Sequence, residues 1–326
     1  MKVLDNMANV VVSLTSFPKR IDTVDIVIKS MFKQTVIPDK ILLYLSKEEF
    51  KNKKLPDRLL ELQSDIFSIN FCDDLKPHKK YFYAMQKYCD SIIITIDDDI
   101  IYPPDLVEKL LKLYKKYPKA VSCLRAHTIK MYDEETFAPY KKWCVESKIV
   151  NIPSLLVLPT GVGGILYPPN CLPKSTFDKE KIKKYCLYTD DLWLKWMQLK
   201  SNIPAVLSND GIELIYVKYS QEESLCKINV DNNRNDIAWR NIIYNDDGIN
   251  MNNERIFIKL FDEYNRIFND NMVSANEFNL IKNSVSYKIG RVITFIPRKM
   301  YASYKCYKYY GVKYTLKRIL NVVFKI

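Results

Sequence analysis

Three consecutive aspartates follow an apolar stretch about a third of the way along the chain. Asp97, Asp98 and Asp99 come directly after residues 92–96, a run of β-branched side chains that predicts a buried strand. Like charges this close repel one another unless a cation or hydrogen-bond donors compensate them. Carboxylate oxygens suit Mg²⁺ or Mn²⁺. The sequence thus predicts a divalent-metal site at the strand's carboxyl end, the alternative being a solvated turn before a helix capped by Asp105.

A second polar segment follows the first apolar run of the chain. Residues 10–14 predict a strand, and the sequence TSFPKR comes after it, combining turn-forming residues with positive charge. A basic and aromatic segment, residues 77–88, predicts a helix just before the acidic strand. Both segments could supply cations near the aspartates.

A cluster of glycines is the third feature that could serve a ligand. The chain has only 7 glycines, and Gly161, Gly163 and Gly164 lie within four positions of one another. Such a concentration indicates a sharp bend or a close approach of a ligand to the backbone. The segment lacks the G-K-[ST] ending of a phosphate loop. A ligand-facing loop and a tight hairpin turn both remain open.

A second acidic pair, Asp190 and Asp191, precedes an apolar and tryptophan-containing helical segment. Acids in the first turn of a helix are stabilised by the helix dipole, typically by about 0.3–1 kcal/mol, so a purely structural role is one interpretation. The other is that one carboxylate serves as a base beside the metal site.

The order of the predicted elements favours an α/β domain with a mostly parallel sheet. Strands at residues 10–14, 40–45, 66–71, 91–96 and 120–129 alternate with helical patterns. Ligands of such sheets bind beyond the carboxyl ends of the strands. We therefore expect TSFPKR and the aspartates to share one crevice. Residues 130–154 are predicted to be an irregular insertion.

Composition indicates a globular protein with reduced thiols. The 326 residues are 48% hydrophobic, and the 8 cysteines show no C-x-x-C pair or regular spacing. We expect no signal peptide and no membrane-spanning helix. These features predict a cytoplasmic protein.

The positive charge of the chain is concentrated at its carboxyl end. Residues 285–326 contain ten Lys and Arg and no acid, which accounts for most of the net charge of +12. Apolar positions from Val312 to Phe324 recur at helical spacing with basic residues between them. This pattern predicts an amphipathic helix on an anionic membrane surface, the alternative being a helix docked on the protein. A nearly neutral body counts against a nucleic-acid partner.

Together these segments resemble bacterial nucleotide-sugar glycosyltransferases of the GT-A fold, family 2-like, of the kind that assemble polysaccharides and lipopolysaccharides. The resemblance spans roughly residues 10–205 and lies in VVSLTSFPKRI, KPHKKYFYAMQKY, IIITIDDDIIYPPDLVEKLL, TGVGGILYPP and YTDDLWLKW. It implies a GT-A domain over residues 1–250, which would leave residues 251–326 as a basic helical appendage.

For the donor side, the resemblance implies a DxD motif at Asp97, Asp98 and Asp99. Asp97 would lie by the ribose, and Asp99, together with Asp97, would bind the Mn²⁺ or Mg²⁺ that bridges the diphosphate. Thr15 and Arg20 would fall beside the nucleotide. A UDP-sugar is the donor that we expect.

For the reaction, the resemblance implies that Asp191, or less favourably Asp190, is the base of an inverting transfer to a glycan or lipid-linked acceptor. Lys79 or Lys80 would face the donor phosphates or sugar. The two glycines that would border the acceptor are Gly163 and Gly164. Some relatives complete the metal shell with a late histidine, but the histidines of this chain, His78 and His127, both precede Asp191.

Other functions compete with this interpretation. A phosphohydrolase with an aspartate nucleophile is a second kind of enzyme, although its acidic residues would be expected after the first strand of the domain. A lipid-binding or nucleic-acid-binding protein with a degenerate active site is the non-enzymatic alternative. The expected location is the cytoplasmic face of the membrane, held peripherally by the basic tail.

Overall fold

A seven-stranded mixed sheet is the centre of the computed structural model, which describes residues 8–218, 233–246 and 251–268. The strands of the chain are β1 (Val10–Thr15), β2 (Lys40–Ser46), β3 (Phe67–Cys72), β4 (Ile92–Thr95), β5 (Ile100–Ile101), β6 (Val121–Cys123), β7 (Ala126–Thr128), β8 (Met131–Asp133), β9 (Thr136–Phe137), β10 (Val157–Pro159), β11 (Ile165–Tyr167), β12 (Ala205–Leu207) and β13 (Ile215–Tyr216). The helices are α1 (Val24–Met31), α2 (Asp57–Leu60), α3 (Lys79–Lys87), α4 (Leu106–Lys116), α5 (Lys179–Tyr185), α6 (Asp190–Lys200), α7 (Arg234–Asn245) and α8 (Met251–Phe268).

The central sheet has the order β12-β6-β11-β4-β1-β2-β3. Its neighbouring strands pair in parallel, except that β11 runs antiparallel to both β4 and β6. The predicted α/β class with a mostly parallel sheet is therefore confirmed. Because β11 runs the opposite way, the segment that precedes it lies at the edge where β4 and β6 end.

The core lies between the sheet and its helices. Apolar side chains of β1, β2 and β4 are buried on the sheet, and α1 contributes the stripe that its spacing predicts: Val24, Val27, Ile28 and Met31. β4 is buried throughout, as expected of a strand in a covered parallel sheet. The interior strand before the aspartates is thus held rigidly from both sides.

The structure corrects two predictions about local structure and excludes one of the alternatives left open for the glycine segment. Residues 120–129 are two strands, since the chain leaves the central sheet after β6 and β7 pairs instead with β10. Residues 130–154 include the antiparallel hairpin of β8 and β9. The glycine segment is not a hairpin turn, because β10 and β11 belong to different sheets. The separation of β6 from β7 and of β10 from β11 into different sheets is a change of partner strand, which the local sequence pattern does not show.

The chain divides into two compact units. The described part of the first comprises residues 8–130 and 139–256, and that of the second comprises residues 131–138 and 257–268. In the second unit Phe137 packs edge-on against Phe257, with ring centroids 5.1 Å apart. The domain boundary near residue 250 stays a prediction. The predicted amphipathic helix from Val312 to Phe324 lies outside the described residues.

Two predictions from the sequence, one about thiols and one about membrane-spanning helices, can be compared with the described residues. The six cysteines among them are free thiols. Within the same residues, none of the helices combines the length and the apolar character that crossing a bilayer requires.

Candidate functional site

One edge of the central sheet gathers the segments that the sequence analysis singled out. β1 pairs in parallel with β4, and antiparallel β11 lies between β4 and β6, so the carboxyl ends of β1, β4 and β6 and the amino end of β11 share this edge. The loop with Arg20 follows β1, the aspartates follow β4, and the turn Gly161–Gly163 lies just before β11. The amino end of α6, with Asp190 and Asp191, faces that turn.

Asp98 is buried, as is Asp99, whereas Asp97 is partly exposed. Asp98 Oδ2 accepts a hydrogen bond from Ser16 Oγ at 2.5 Å, and its Oδ1 accepts one from Arg20 Nη1 at 2.7 Å. Burial raises the pKa of Asp98, while the charge of Arg20 and the Ser16 hydrogen bond oppose that rise. Asp98 therefore ties the loop after β1 to the loop after β4.

Arg20 connects two of the acids. Besides contacting Asp98, its Nη1 lies 3.1 Å from Asp99 Oδ2. Burial lowers the pKa of Arg20, but the charges of Asp98 and Asp99 outweigh burial, so that the net shift is upward. A permanently charged guanidinium thus lies beside residues 97–99, which form the acidic loop after β4.

Lys80 forms the most consequential contact of the site. Its Nζ lies 2.8 Å from Asp97 Oδ1 and 2.8 Å from Asp190 Oδ2, which joins the loop after β4 to the start of α6. Burial lowers the pKa of Lys80, but the charges of Asp190 and Asp97 dominate and raise it well above its ordinary value. Lys80 is therefore a buried cation shared by the acidic trio and by the acidic pair at the start of α6.

The two acids at the start of α6 differ in their surroundings. Burial raises the pKa of Asp190, but the charge of Lys80 outweighs burial and the net shift is downward. Asp191 is partly buried, and its two carboxylate oxygens each lie 3.2 Å from the backbone N–H of Gly161. Burial and then the charge of Asp190 raise the pKa of Asp191 to about 7. Asp191 is thus a carboxyl group that titrates near neutral pH.

The glycine turn packs directly on these side chains. A Cβ built on Gly161 would lie 2.6 Å from Lys80 Nζ and 2.9 Å from Asp97 Oδ1. A Cβ on Gly163 would lie 2.5 Å from Arg125 Cβ. Gly164 has φ +76°, a conformation that favours glycine, and leads into β11. The glycines therefore let the turn approach both the acidic loop and the segment after β6.

Two of the predicted site residues have other partners in the structure. Thr15 donates its hydroxyl hydrogen to the backbone oxygen of Tyr44 on β2, at 2.7 Å. Lys79 is almost fully buried, with its Nζ 2.5 Å from Asp74 Oδ1. Of the two predicted lysines, Lys80 is the one in contact with Asp97.

Sequence reasoning missed two residues of this edge and gave a third, Gly161, no role of its own. Ser16 holds Asp98, and Tyr102 accepts a hydrogen bond from the backbone N–H of Asp97 at 2.9 Å. Gly161, which packs on Lys80 and Asp97, stands out in the sequence only as part of a cluster. Ser16 lies within TSFPKR and could have been found there. Tyr102 gives no signal in the sequence, because its role depends on the path of the loop.

The described residues contain no cluster of three His, Cys, Asp or Glu side chains arranged to hold a metal ion. Asp97 and Asp99 supply two carboxylates, a donor set that suits Mg²⁺, which proteins commonly bind through one or two carboxylates together with substrate phosphates. His78 is buried, with its ring nitrogens 2.9 Å from Tyr81 Oη and 2.9 Å from the Cys186 backbone oxygen. The chemistry of the residues therefore fits a cation that a phosphorylated ligand helps to bind.

Comparison with known proteins gives distant structural likenesses. No protein-family model matches the sequence, and no curated protein matches it. The mannosyltransferase PcManGT from Pyrobaculum calidifontis, solved with GDP-Man and Mn²⁺, has 11% identity and a TM-score of 0.48 over 98% of this chain and 88% of its own.

Two further solved structures show the same level of likeness. S. aureus TarS, residues 1-349, in complex with UDP has 13% identity and a TM-score of 0.43, covering 86% of this chain and 77% of its own. 4-diphosphocytidyl-2C-methyl-D-erythritol synthase from Anaerococcus prevotii has 13% identity and a TM-score of 0.39, covering 70% and 97%. TM-scores and identities this low carry no argument about function.

Proposed function

We propose that this chain is a metal-dependent glycosyltransferase of the GT-A type. It transfers a sugar from a nucleoside-diphosphate donor, with UDP as the expected carrier, to a hydroxyl group of a glycan or lipid-linked acceptor, with inversion at the anomeric carbon. The observation that carries this proposal is the contact of Lys80 with both Asp97 and Asp190, since it joins the acidic trio and the acidic pair of the sequence at one edge of the sheet.

The donor side of the proposed site consists of the acidic loop and the segment after β1. Asp97 and Asp99 would hold Mn²⁺ or Mg²⁺, and a bound divalent cation neutralises the negative charge of the departing diphosphate. Asp98 is the internal support of the loop, since its two oxygens are engaged by Ser16 and Arg20. Arg20 adds positive charge where the diphosphate would bind.

Asp191 is the proposed general base. A carboxylate must take the proton of the acceptor hydroxyl as that oxygen attacks the anomeric carbon, and the best base has a pKa near the working pH. The pKa of Asp191 is raised to about 7 by burial and by Asp190, and the Gly161 N–H orients its carboxylate. The pKa of Asp190 is shifted downward instead. In this proposal Asp190 stays ionised on Lys80 and Asp191 moves the proton.

The remaining elements of the proposal concern the acceptor. The turn with Gly163 and Gly164 would border the acceptor hydroxyl. The basic carboxyl-terminal residues would bring the enzyme to an anionic membrane surface on the cytoplasmic side, where it would meet a lipid-linked acceptor.

The test is a turnover assay with a panel of nucleotide sugars. Each donor is incubated with the full chain, Mn²⁺ and membrane extract as the source of acceptor, and the released nucleoside diphosphate and the labelled product are both measured. We expect one donor class to give a product, and chelation of the metal to abolish it. Absence of product with every donor would reject the proposal.

Matched variants separate transfer from contaminating activity. Asp99→Asn should abolish product formation because it removes a metal-binding charge. Asp57→Asn removes a carboxylate from an exposed helix and should leave turnover unchanged. Equal activity in the two variants would show that the acidic loop does not carry the reaction.

A further inference from the structure

Arg125 is an arginine at the same edge of the sheet, outside the residues to which a role has been given so far. It comes two residues after β6 ends at Cys123. Its Nη1 donates a hydrogen bond to Thr160 Oγ1 at 3.1 Å, and the Thr160 backbone N–H donates to the Arg125 backbone oxygen at 3.1 Å. The guanidinium is therefore fixed next to the residue that begins the glycine turn.

The glycine turn places Arg125 near the proposed transfer site. The Gly163 end of the turn packs on the Arg125 Cβ, and the Gly161 end packs on Asp97 and Lys80. Two residues span at most about 7 Å of chain, so both contacts belong to one short structure. Arg125 is partly exposed, and its side chain begins next to this turn. A ligand bound over the turn could therefore contact it.

The positive charge of Arg20 is balanced by carboxylates, and that of Arg125 is not balanced in this way. Arg20 contacts the carboxylates of Asp98 and Asp99. Among the described residues, Arg125 forms no ion pair, and its Nε is buried without a hydrogen-bond partner. A guanidinium is always charged and presents a planar set of donors that matches a phosphate or a carboxylate. An anion from a ligand would complete this environment.

The order of the strands separates Arg125 from the donor side. Arg20 follows β1 on one side of β4, and Arg125 follows β6 on the other side, with β11 between. Neighbouring strands are about 4.8 Å apart, so β6 lies roughly 14 Å across the sheet from β1. An anion at Arg125 is thus distinct in position from the diphosphate proposed beside Arg20.

We propose that Arg125 binds an anionic group of the acceptor, a phosphate or a carboxylate adjacent to the hydroxyl that receives the sugar. This inference rests on the proposed glycosyl transfer and names its acceptor class. Arg125 then discriminates among acceptors, and Thr160 is the positioning residue that holds its guanidinium. A neutral acceptor of the same shape would leave the charge of Arg125 unpaired and would bind more weakly.

The direct test is labelling of Arg125 with phenylglyoxal in the full chain, followed by peptide mapping. Glycerol 3-phosphate and glycerate are the anionic probes, and glycerol is their neutral counterpart. We expect either anion to slow labelling of Arg125 by about ten-fold at saturation, and glycerol to have no effect. The stronger of the two anions identifies the chemical group. Equal labelling under all conditions, or no labelling of Arg125 at all, would overturn the proposal.

A second measurement distinguishes acceptor from donor. Arg125→Met should bind nucleoside diphosphate with Mn²⁺ within about two-fold of the unmodified chain, while Arg125→Lys should keep part of the preference for anionic acceptors. Lys119→Met removes a positive charge just before the amino end of the same strand and is the matched control. A ten-fold loss of nucleotide affinity in Arg125→Met would assign Arg125 to the donor and overturn the proposal.

The two proposals can fail separately. Labelling needs no turnover and no nucleotide, so protection of Arg125 by an anion would stand even if no donor bound. Binding of a nucleoside diphosphate without protection of Arg125 would keep the transfer function and reject the acceptor class.

Discussion

Gly161 and Asp97 are packed so closely that a Cβ on the glycine would lie 2.9 Å from the Oδ1 of the aspartate. A Cβ atom essentially never comes this close to another heavy atom, so glycine lets the turn rest on the acidic loop without any shift of its neighbours. The atoms that a new methyl group would meet are the tips of flexible side chains, Asp97 and Lys80. They can move at little cost to the fold, although the geometry of the site would change.

Gly161→Ala should therefore lose activity while keeping stability. The added methyl group shifts Lys80 Nζ within its contacts with Asp97 and Asp190 without breaking them, and misplacement of catalytic groups by about 1 Å can cost roughly 100-fold in rate. The measurements are kcat for transfer and the free energy of unfolding in urea.

Gly211→Ala is the matched control. Gly211 has φ +60°, and a Cβ added to it would meet no atom within 4 Å, so alanine there is strained without touching the site. We expect a destabilisation of about 1 kcal/mol and unchanged kcat. A variant at Gly161 that behaves like this control would show that the turn has no part in the reaction.

The pH dependence of activity should report the ionisation of Asp191. A general base works in its deprotonated form, so kcat/KM should rise with pH through about 7, the raised pKa of this carboxyl, and level off above it. Asp191→Asn should lower kcat by about 10²–10⁴-fold and remove this rise. A rise that persists in the variant would assign the base to another group.

Asp190→Asn tests the cause of the raised pKa. After burial, the charge of Asp190 is the main factor that raises the pKa of Asp191. Removing that charge should move the rise in kcat/KM to lower pH. A shift toward higher pH would mean that Lys80, released from Asp190, no longer stabilises the ionised form of Asp191.

Lys80→Met should destabilise the fold by about 3 kcal/mol, because it leaves the carboxylates of Asp97 and Asp190 without their shared cation. The pKa of Asp190, which the charge of Lys80 holds down against the effect of burial, should rise above its unfolded value. A group with a raised pKa in the folded state stabilises the fold at low pH and loses that contribution as pH rises. The loss of stability should therefore be smaller at pH 5 than at pH 8, as measured by urea unfolding, and equal losses would contradict this assignment.

Asp246 is predicted to be a structural residue. Its carboxylate is fully buried and contacts Lys181, Lys200 and the indole N–H of Trp196, which ties the end of α7 to α5 and α6. Asp246→Ala should lower the free energy of unfolding by about 3 kcal/mol and leave kcat per folded molecule unchanged. Asp57→Ala, which breaks an exposed pair with Lys54, should cost less than about 1 kcal/mol.

The sequence predicts the strands and the segments of the site better than it predicts their contacts. The apolar runs before Thr15 and Asp97 show the β1 and β4 strands directly, because burial on both faces leaves a simple pattern. The first turn of α6 is likewise visible from Asp190 and Asp191 ahead of an apolar helix. These features depend on residues that are near one another in the chain.

Contacts between distant segments could not be predicted. The sequence leaves Lys79 and Lys80 as alternatives, and only the pitch of α3 decides that Lys80 reaches Asp97. The break between β6 and β7 leaves Arg125 just beyond the end of β6, although apolar residues continue on both sides of it. Both outcomes depend on how the chain packs, which local periodicity does not encode.

We propose above all that the acidic loop binds a divalent cation together with a nucleoside diphosphate. Isothermal titration of UDP into the full chain, with and without Mn²⁺, tests it most directly, with Asp99→Asn as the paired variant. We predict saturable binding of UDP that requires Mn²⁺ and weakens at least about ten-fold in Asp99→Asn. The account would be contradicted if neither UDP nor the other nucleoside diphosphates bound in the presence of Mn²⁺. It would also be contradicted if they bound equally well to Asp99→Asn.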